Sequence, residues 1–151
     1  MPTKAIRVPE AMVEQIINFI YRKGDVYPLY GNMVPAGFPT VTEEVPVEMM
    51  DLTSYLISNP AATFFVRATG DSMIGAGIFA DDILVVDKSA EPQNGDIVIA
   101  ILNNEFTVKR LEKSDSHVEL KSENPNYPSI VIPEDTELQI WGVVKHTLRT
   151  V

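Results

Sequence analysis

The chain has 151 residues, a formal net charge of −9, 45% hydrophobic residues and no cysteine. That length suits one domain with a sizeable core, and the missing cysteines exclude thiol catalysis, disulfides and Cys-ligated zinc. Residues 1–40 hold four basic against three acidic residues, so the remainder carries −10, a balance that repels phosphates and argues against direct DNA binding by residues 41–151.

Taken in chain order, residues 9–23 are expected to be helical. Pro9 suits a first turn, Met12, Val13, Ile16, Ile17, Phe19 and Ile20 recur near helical spacing, and Gly24 stops the pattern. Residues 24–48 are punctuated by Gly24, Pro28, Gly31, Pro35, Gly37, Pro39 and Pro46, which excludes a long helix or a central strand and predicts an extended arm. A short helix is expected at 51–58, capped by Asp51 and ended by Pro60. Strands are then expected at 63–68, 83–87, 96–102, 105–111, 117–121, 129–132 and 138–148, from short β-branched and aromatic runs between Gly, Pro, Asn and Asp. Asn103-Asn104 fits a two-residue hairpin turn, because Asn tolerates positive φ. The expected fold is mostly β: a compact domain at 50–151, preceded by an N-terminal arm at 1–49 with one helix. No apolar run approaches the roughly 18–20 residues of a membrane span, so a soluble, cytoplasmic protein is expected.

Three features bear on chemistry. Gly70-Asp71-Ser72-Met73 leaves a predicted strand, and such a serine can expose its Oγ beside backbone N–H groups free to face an oxyanion. The same four residues also suit an ordinary polar turn. Lys109 lies in Glu105-Phe106-Thr107-Val108-Lys109-Arg110-Leu111, where alternation places it on one face with Thr107 and Leu111. A strand lysine is commonly exposed; a desolvated one has a lowered pKa and can take a serine proton as a neutral amine. Ala36-Gly37 sits between Pro35 and Phe38 in the irregular arm. Small residues let two backbones approach, as a cleavage site requires, although a loop glycine is common. His117 and His146 lack metal-ligand spacing, and no phosphate loop, EF-hand or zinc-protease motif appears. No metal or cofactor is therefore expected.

Together these residues resemble the LexA/UmuD peptidases. Phe65-Val66-Arg67-Ala68-Thr69-Gly70-Asp71-Ser72-Met73-Ile74 is similar to their nucleophile segment. Asp82-Ile83-Leu84-Val85-Val86-Asp87, Asn94-Gly95-Asp96-Ile97-Val98-Ile99-Ala100, the Lys109 segment and Trp141-Gly142-Val143-Val144 continue the likeness in order, over roughly residues 50–148. The 37 positions from Ser72 to Lys109 match the family's spacing. Within the family the UmuD branch is more similar than LexA and the phage repressors, which carry a DNA-binding domain before the cleavage site. Here 36 residues with one clear helix precede the Ala36-Gly37 bond. The enterobacterial members of that branch are cut at Cys-Gly; Ala-Gly is the LexA-like choice.

The resemblance implies a Ser-Lys peptidase that cuts its own arm at Ala36-Gly37, with Ser72 as nucleophile, Lys109 as general base and the N–H groups of Ser72 and Met73 as oxyanion donors. It also implies stimulation by a RecA filament on single-stranded DNA, a trimmed homodimer and a UmuC-like Y-family polymerase partner in SOS mutagenesis, without sequence-specific DNA binding. Two alternatives stand beside it. One is a non-catalytic polymerase adaptor. The other is a small repressor, since residues 4–10 and the helix after them resemble a ribbon-helix-helix start; that fold needs a second helix, which residues 24–46 are too rich in Pro and Gly to supply.

Overall fold

The computed structural model describes residues 7–13, 16, 26–31, 47–114, 117–133, 136 and 138–151. The chain divides into two compact units, Met1–Tyr55 and Leu56–Val151. The fold is mostly β, as the sequence predicts.

In the first unit, residues 10–13 and 16 are helical, inside the helix expected at 9–23. Strands β1 (Val26–Tyr30) and β2 (Val47–Asp51) pair antiparallel, with Pro28 opposite Met49. The sequence predicted no strand there. A two-strand ribbon consists of edges alone, so a proline without an N–H can sit in it where a central strand would reject it. A strand at residues 26–30 also occupies part of the stretch where a ribbon-helix-helix protein needs its second helix. Helix α1 (Leu52–Leu56) follows at once. The Asp51 carboxylate accepts the Ser54 N–H at 3.1 Å and the Ser54 hydroxyl at 2.8 Å, which is the expected N-cap. These bonds lower the pKa of Asp51.

The second unit is one sheet of seven strands: β3 (Thr63–Arg67), β4 (Ile83–Asp87), β5 (Ile97–Leu102), β6 (Glu105–Lys113), β7 (Val118–Lys121), β8 (Ile130–Ile132) and β9 (Gln139–Leu148). Their spatial order is β3-β4-β9-β5-β6-β7-β8, and every neighbouring pair is antiparallel. Asn103 and Asn104 join β5 to β6 with φ of 50° and 65°, the primed turn the sequence suggested.

Alternation along these strands sends side chains into two apolar clusters. Leu84, Val86 and Ile99 enter one with Ala68, Met73 and Ile78; Val98, Ala100, Leu111, Leu120 and Val143 enter the other. A fully buried Val, Leu or Ile contributes about 1.5–3 kcal/mol, so a sheet covered in this way needs no disulfide. Strand β9 keeps both clusters supplied by means of bulges. Ile99 pairs with Gly142 and Ala100 with Ile140, leaving Trp141 as the extra residue. Trp141 thereby joins the first cluster while Ile140 packs on the second.

Candidate active site

The nucleophile candidate sits in the connection from β3 to β4. The chain leaves β3 through Gly70, whose φ of +76° is a conformation glycine adopts without a Cβ penalty. A 3-10 turn, Ile74–Ala76, follows Met73. The base of the loop is closed by Ala68 N–H on the Asp82 carbonyl at 2.8 Å and Asp81 N–H on the Ala68 carbonyl at 2.9 Å. Met73 is buried in the first cluster and anchors the turn beside Ser72.

Strand β6 brings the base candidate to this turn. Lys109 pairs with Val98 across the β5–β6 ladder and shares its face with Leu111, which is 0% exposed. The lysine itself is only 8% exposed. Its Nζ lies 2.9 Å from Ser72 Oγ and 3.0 Å from the Val108 carbonyl oxygen. Among the described residues no carboxylate pairs with it, and burial pushes its pKa down. A neutral Nζ donates to Val108 and keeps its lone pair for the Ser72 hydroxyl proton, so the pair has the geometry of nucleophile and base. A cleft lined by Val66, Ala68, Met73, Ile99, Phe106 and Val108 opens beside Ser72. Trp141 packs between Phe64 and Phe106, at centroid distances of 4.3 and 4.8 Å, and stiffens that wall.

The β7–β8 connection supports the turn from the other side. Glu123 N–H donates to the Ser72 carbonyl at 2.9 Å, and Gly75 N–H donates back to the Glu123 carbonyl at 2.7 Å. A Cβ on Gly75 would stand 2.4 Å from that carbonyl oxygen, so only glycine permits the approach. Asn124, 4% exposed, donates its Nδ2 to the Asp71 carbonyl at 2.9 Å. Tyr127 donates its hydroxyl to the Asp71 carboxylate, which raises the tyrosine pKa. The Glu123 carboxylate pairs with Arg110, next in sequence to Lys109. A second clamp holds the far end of the loop: the buried Asp82 carboxylate accepts from Arg149, Thr147 and the Phe79 N–H, and Arg149 also donates to the Gly77 carbonyl at 2.8 Å.

The structure thus brings Ser72 and Lys109 into contact and places Met73 next to them. Ala36 and Gly37 lie outside the described residues. Glu123, Asn124 and Tyr127 were not singled out from the sequence. Their only signal is the turn-forming run Asn124-Pro125-Asn126-Tyr127-Pro128, whose Asn124 Oδ1 accepts the Asn126 N–H at 3.0 Å. Among the described residues no cluster of His, Asp and Glu could hold a metal, and no helix is long and apolar enough to cross a membrane.

Residues 28–145 match the Peptidase S24-like family. Protein SamA of Salmonella typhimurium is 50% identical over 117 residues, covering 78% of this chain and 81% of that protein. Protein MucA of Escherichia coli is 39% identical over 122 residues, covering 80% and 83%. The LexA repressor of Clostridium kluyveri is 36% identical over 107 residues, covering 71% of this chain and 52% of the repressor. These matches bear out the LexA/UmuD resemblance: the chain belongs to the Peptidase S24-like family.

Proposed function

We propose that the protein is a serine peptidase that cuts its own chain at the Ala36-Gly37 bond, with Ser72 as nucleophile and Lys109 as general base. The observation that carries this reading is the 2.9 Å contact between Ser72 Oγ and a buried lysine without a carboxylate partner among the described residues. In the proposed reaction neutral Lys109 takes the hydroxyl proton as Oγ bonds to the Ala36 carbonyl carbon. The carbonyl oxygen becomes an oxyanion held by the N–H groups of Ser72 and Met73. The bond from that carbon to the Gly37 nitrogen then breaks, and Lys109 returns its proton to the departing amine. Water, deprotonated by Lys109, releases the Ala36 carboxylate from Ser72.

In this reading residues 1–49 are the arm that is cut, and 50–151 are the peptidase and dimerisation domain. The LexA/UmuD resemblance supports a place in SOS mutagenesis. A RecA filament on single-stranded DNA would raise the population of the cleavage-competent state, and the trimmed homodimer would join a UmuC-like Y-family polymerase.

The test is the intact mass of the full-length chain held at pH 7 and pH 10, with and without RecA filaments. A fragment starting at Gly37 is expected, forming faster at alkaline pH, because a base must be neutral to act and the rate follows the neutral fraction of Lys109. Ser72→Ala should abolish the fragment, and Lys109→Ala should slow it by about 10²-fold or more, the usual contribution of a general base. A normal rate in either variant would falsify the assignment. No fragment from the unmodified chain under any of these conditions would favour a non-catalytic polymerase adaptor.

A further inference from the structure

The two carbonyls that flank the nucleophile are both occupied by one distant segment. Asn124 Nδ2 holds the Asp71 carbonyl and Glu123 N–H holds the Ser72 carbonyl. Among the described residues there is no cis peptide, and in a planar trans peptide the carbonyl and the following N–H point in opposite directions. Fixing those two oxygens toward residues 123 and 124 therefore turns the N–H groups of Ser72 and Met73 the other way. Among the described residues neither N–H has a hydrogen-bond partner. Two unengaged donors beside a nucleophilic oxygen are what an oxyanion site consists of.

Backbone alone holds the Ser72 carbonyl; the Asp71 carbonyl takes a long backbone bond from the Ile74 N–H at 3.4 Å, and its short one, at 2.9 Å, comes from the Asn124 side chain. Asn124 is buried, and both ends of its carboxamide are engaged, Nδ2 on the Asp71 carbonyl and Oδ1 by the Asn126 N–H. The amide can neither flip nor swing without losing both bonds. A carboxylate at this position would keep the bond from Asn126 but face the Asp71 carbonyl with a second acceptor.

We propose that Asn124 is a positioning residue: by holding the Asp71 carbonyl it aims the Ser72 N–H at the oxyanion of the reaction, while the Glu123 N–H on the Ser72 carbonyl aims the Met73 N–H. The proposal rests on Ser72 being the nucleophile, as argued above, and it adds a residue 52 positions away to the machinery.

The experiment uses the full-length protein and a small fluorophosphonate probe. The serine Oγ forms a bond to phosphorus, fluoride leaves, the serine proton passes to Lys109, and a phosphonyl oxygen occupies the oxyanion position. Labelling rates at Ser72 are measured against pH for the unmodified chain, Asn124→Ala and Asn124→Asp, with urea unfolding of each. Both variants should label about 10- to 100-fold more slowly, less than the loss of a whole oxyanion donor. The midpoint of their pH profiles should stay in place, because no hydrogen bond joins Asn124 to Lys109. In the unmodified chain the Ser72 and Met73 amide protons should move downfield on phosphonylation, a reading that survives even if a variant fails to fold.

Labelling of a folded variant at the unmodified rate, or unmoved Ser72 and Met73 amides in the adduct, would overturn the proposal. So would a rate that falls only in proportion to the folded fraction. If the unmodified chain labels at Ser72 but never cuts itself, the proposed substrate is wrong, while the labelling ratio still decides the role of Asn124. An unmodified chain that does not label would overturn both.

Discussion

Lys109 is held where its charged form is least welcome, in a nearly dry position between strands, with a hydroxyl and a carbonyl but no carboxylate partner among the described residues. Its folded-state pKa is lowered while the unfolded value stays near the ordinary ~10.4. Between those two values the unfolded chain binds the extra proton, so stability rises with pH through that window, and below it the burial penalty is felt in full. Lys109→Met, of similar length and without charge, should therefore be more stable than its parent at pH 7, and the difference should shrink toward pH 10. Urea midpoints at the two pH values check this, with Ser72→Ala in both proteins to prevent the proposed cutting. A constant difference would mean that the lysine is not desolvated. The residue-level reading of the site followed from alternation, which put Lys109 beside Leu111, and from the spacing shared with the family. Asn124 was beyond that reasoning. Its partner is a backbone carbonyl, and a carbonyl leaves no mark in the sequence.

Strand β9 ends in a clamp that ties two elements together. Thr147 and Arg149 reach the Asp82 carboxylate at the start of β4, and Arg149 stacks over Phe79 with its guanidinium carbon 4.1 Å from the ring centroid. The Arg149 hydrogen bonds, followed by the Phe79 N–H, hold the Asp82 pKa far below the ordinary carboxylate range. A lowered acid pKa gives stability that is present above the unfolded value, about 4, and is lost as pH falls through the folded value. Arg149→Met should lower the urea midpoint at pH 7, and the gap to the parent should narrow in acid, where the stranded Asp82 can neutralise itself. A gap independent of pH would show that Arg149 acts through packing alone. At this scale the seven strands of the second unit were legible within about two residues, because their β-branched runs are short and sharply bounded. The ribbon of β1 and β2 was not. Pro28 and the surrounding glycines read as breakers, and pairing with a partner strand some twenty residues away overrode that local signal.

At the scale of the molecule, the acidic balance is uneven: residues 1–40 are slightly basic and everything after them is strongly acidic. On the proposed chemistry, cutting at Ala36-Gly37 removes nearly all of the basic end and leaves a more acidic product. The two halves of the site lie far apart in sequence, since the Asp71 carbonyl is held from 53 positions away and the Gly75 approach depends on Glu123. That separation has a consequence for exchange between relatives. A recombinant that takes one stretch from a 50%-identical protein such as SamA and the other from this chain would join two surfaces never selected together. Crossovers between positions 77 and 122 should yield reactive serines only where glycine faces the Glu123 carbonyl and an amide donor faces residue 71, which probe labelling of such chimaeras would reveal. The two stretches are one heritable unit, although a third of the chain is written between them.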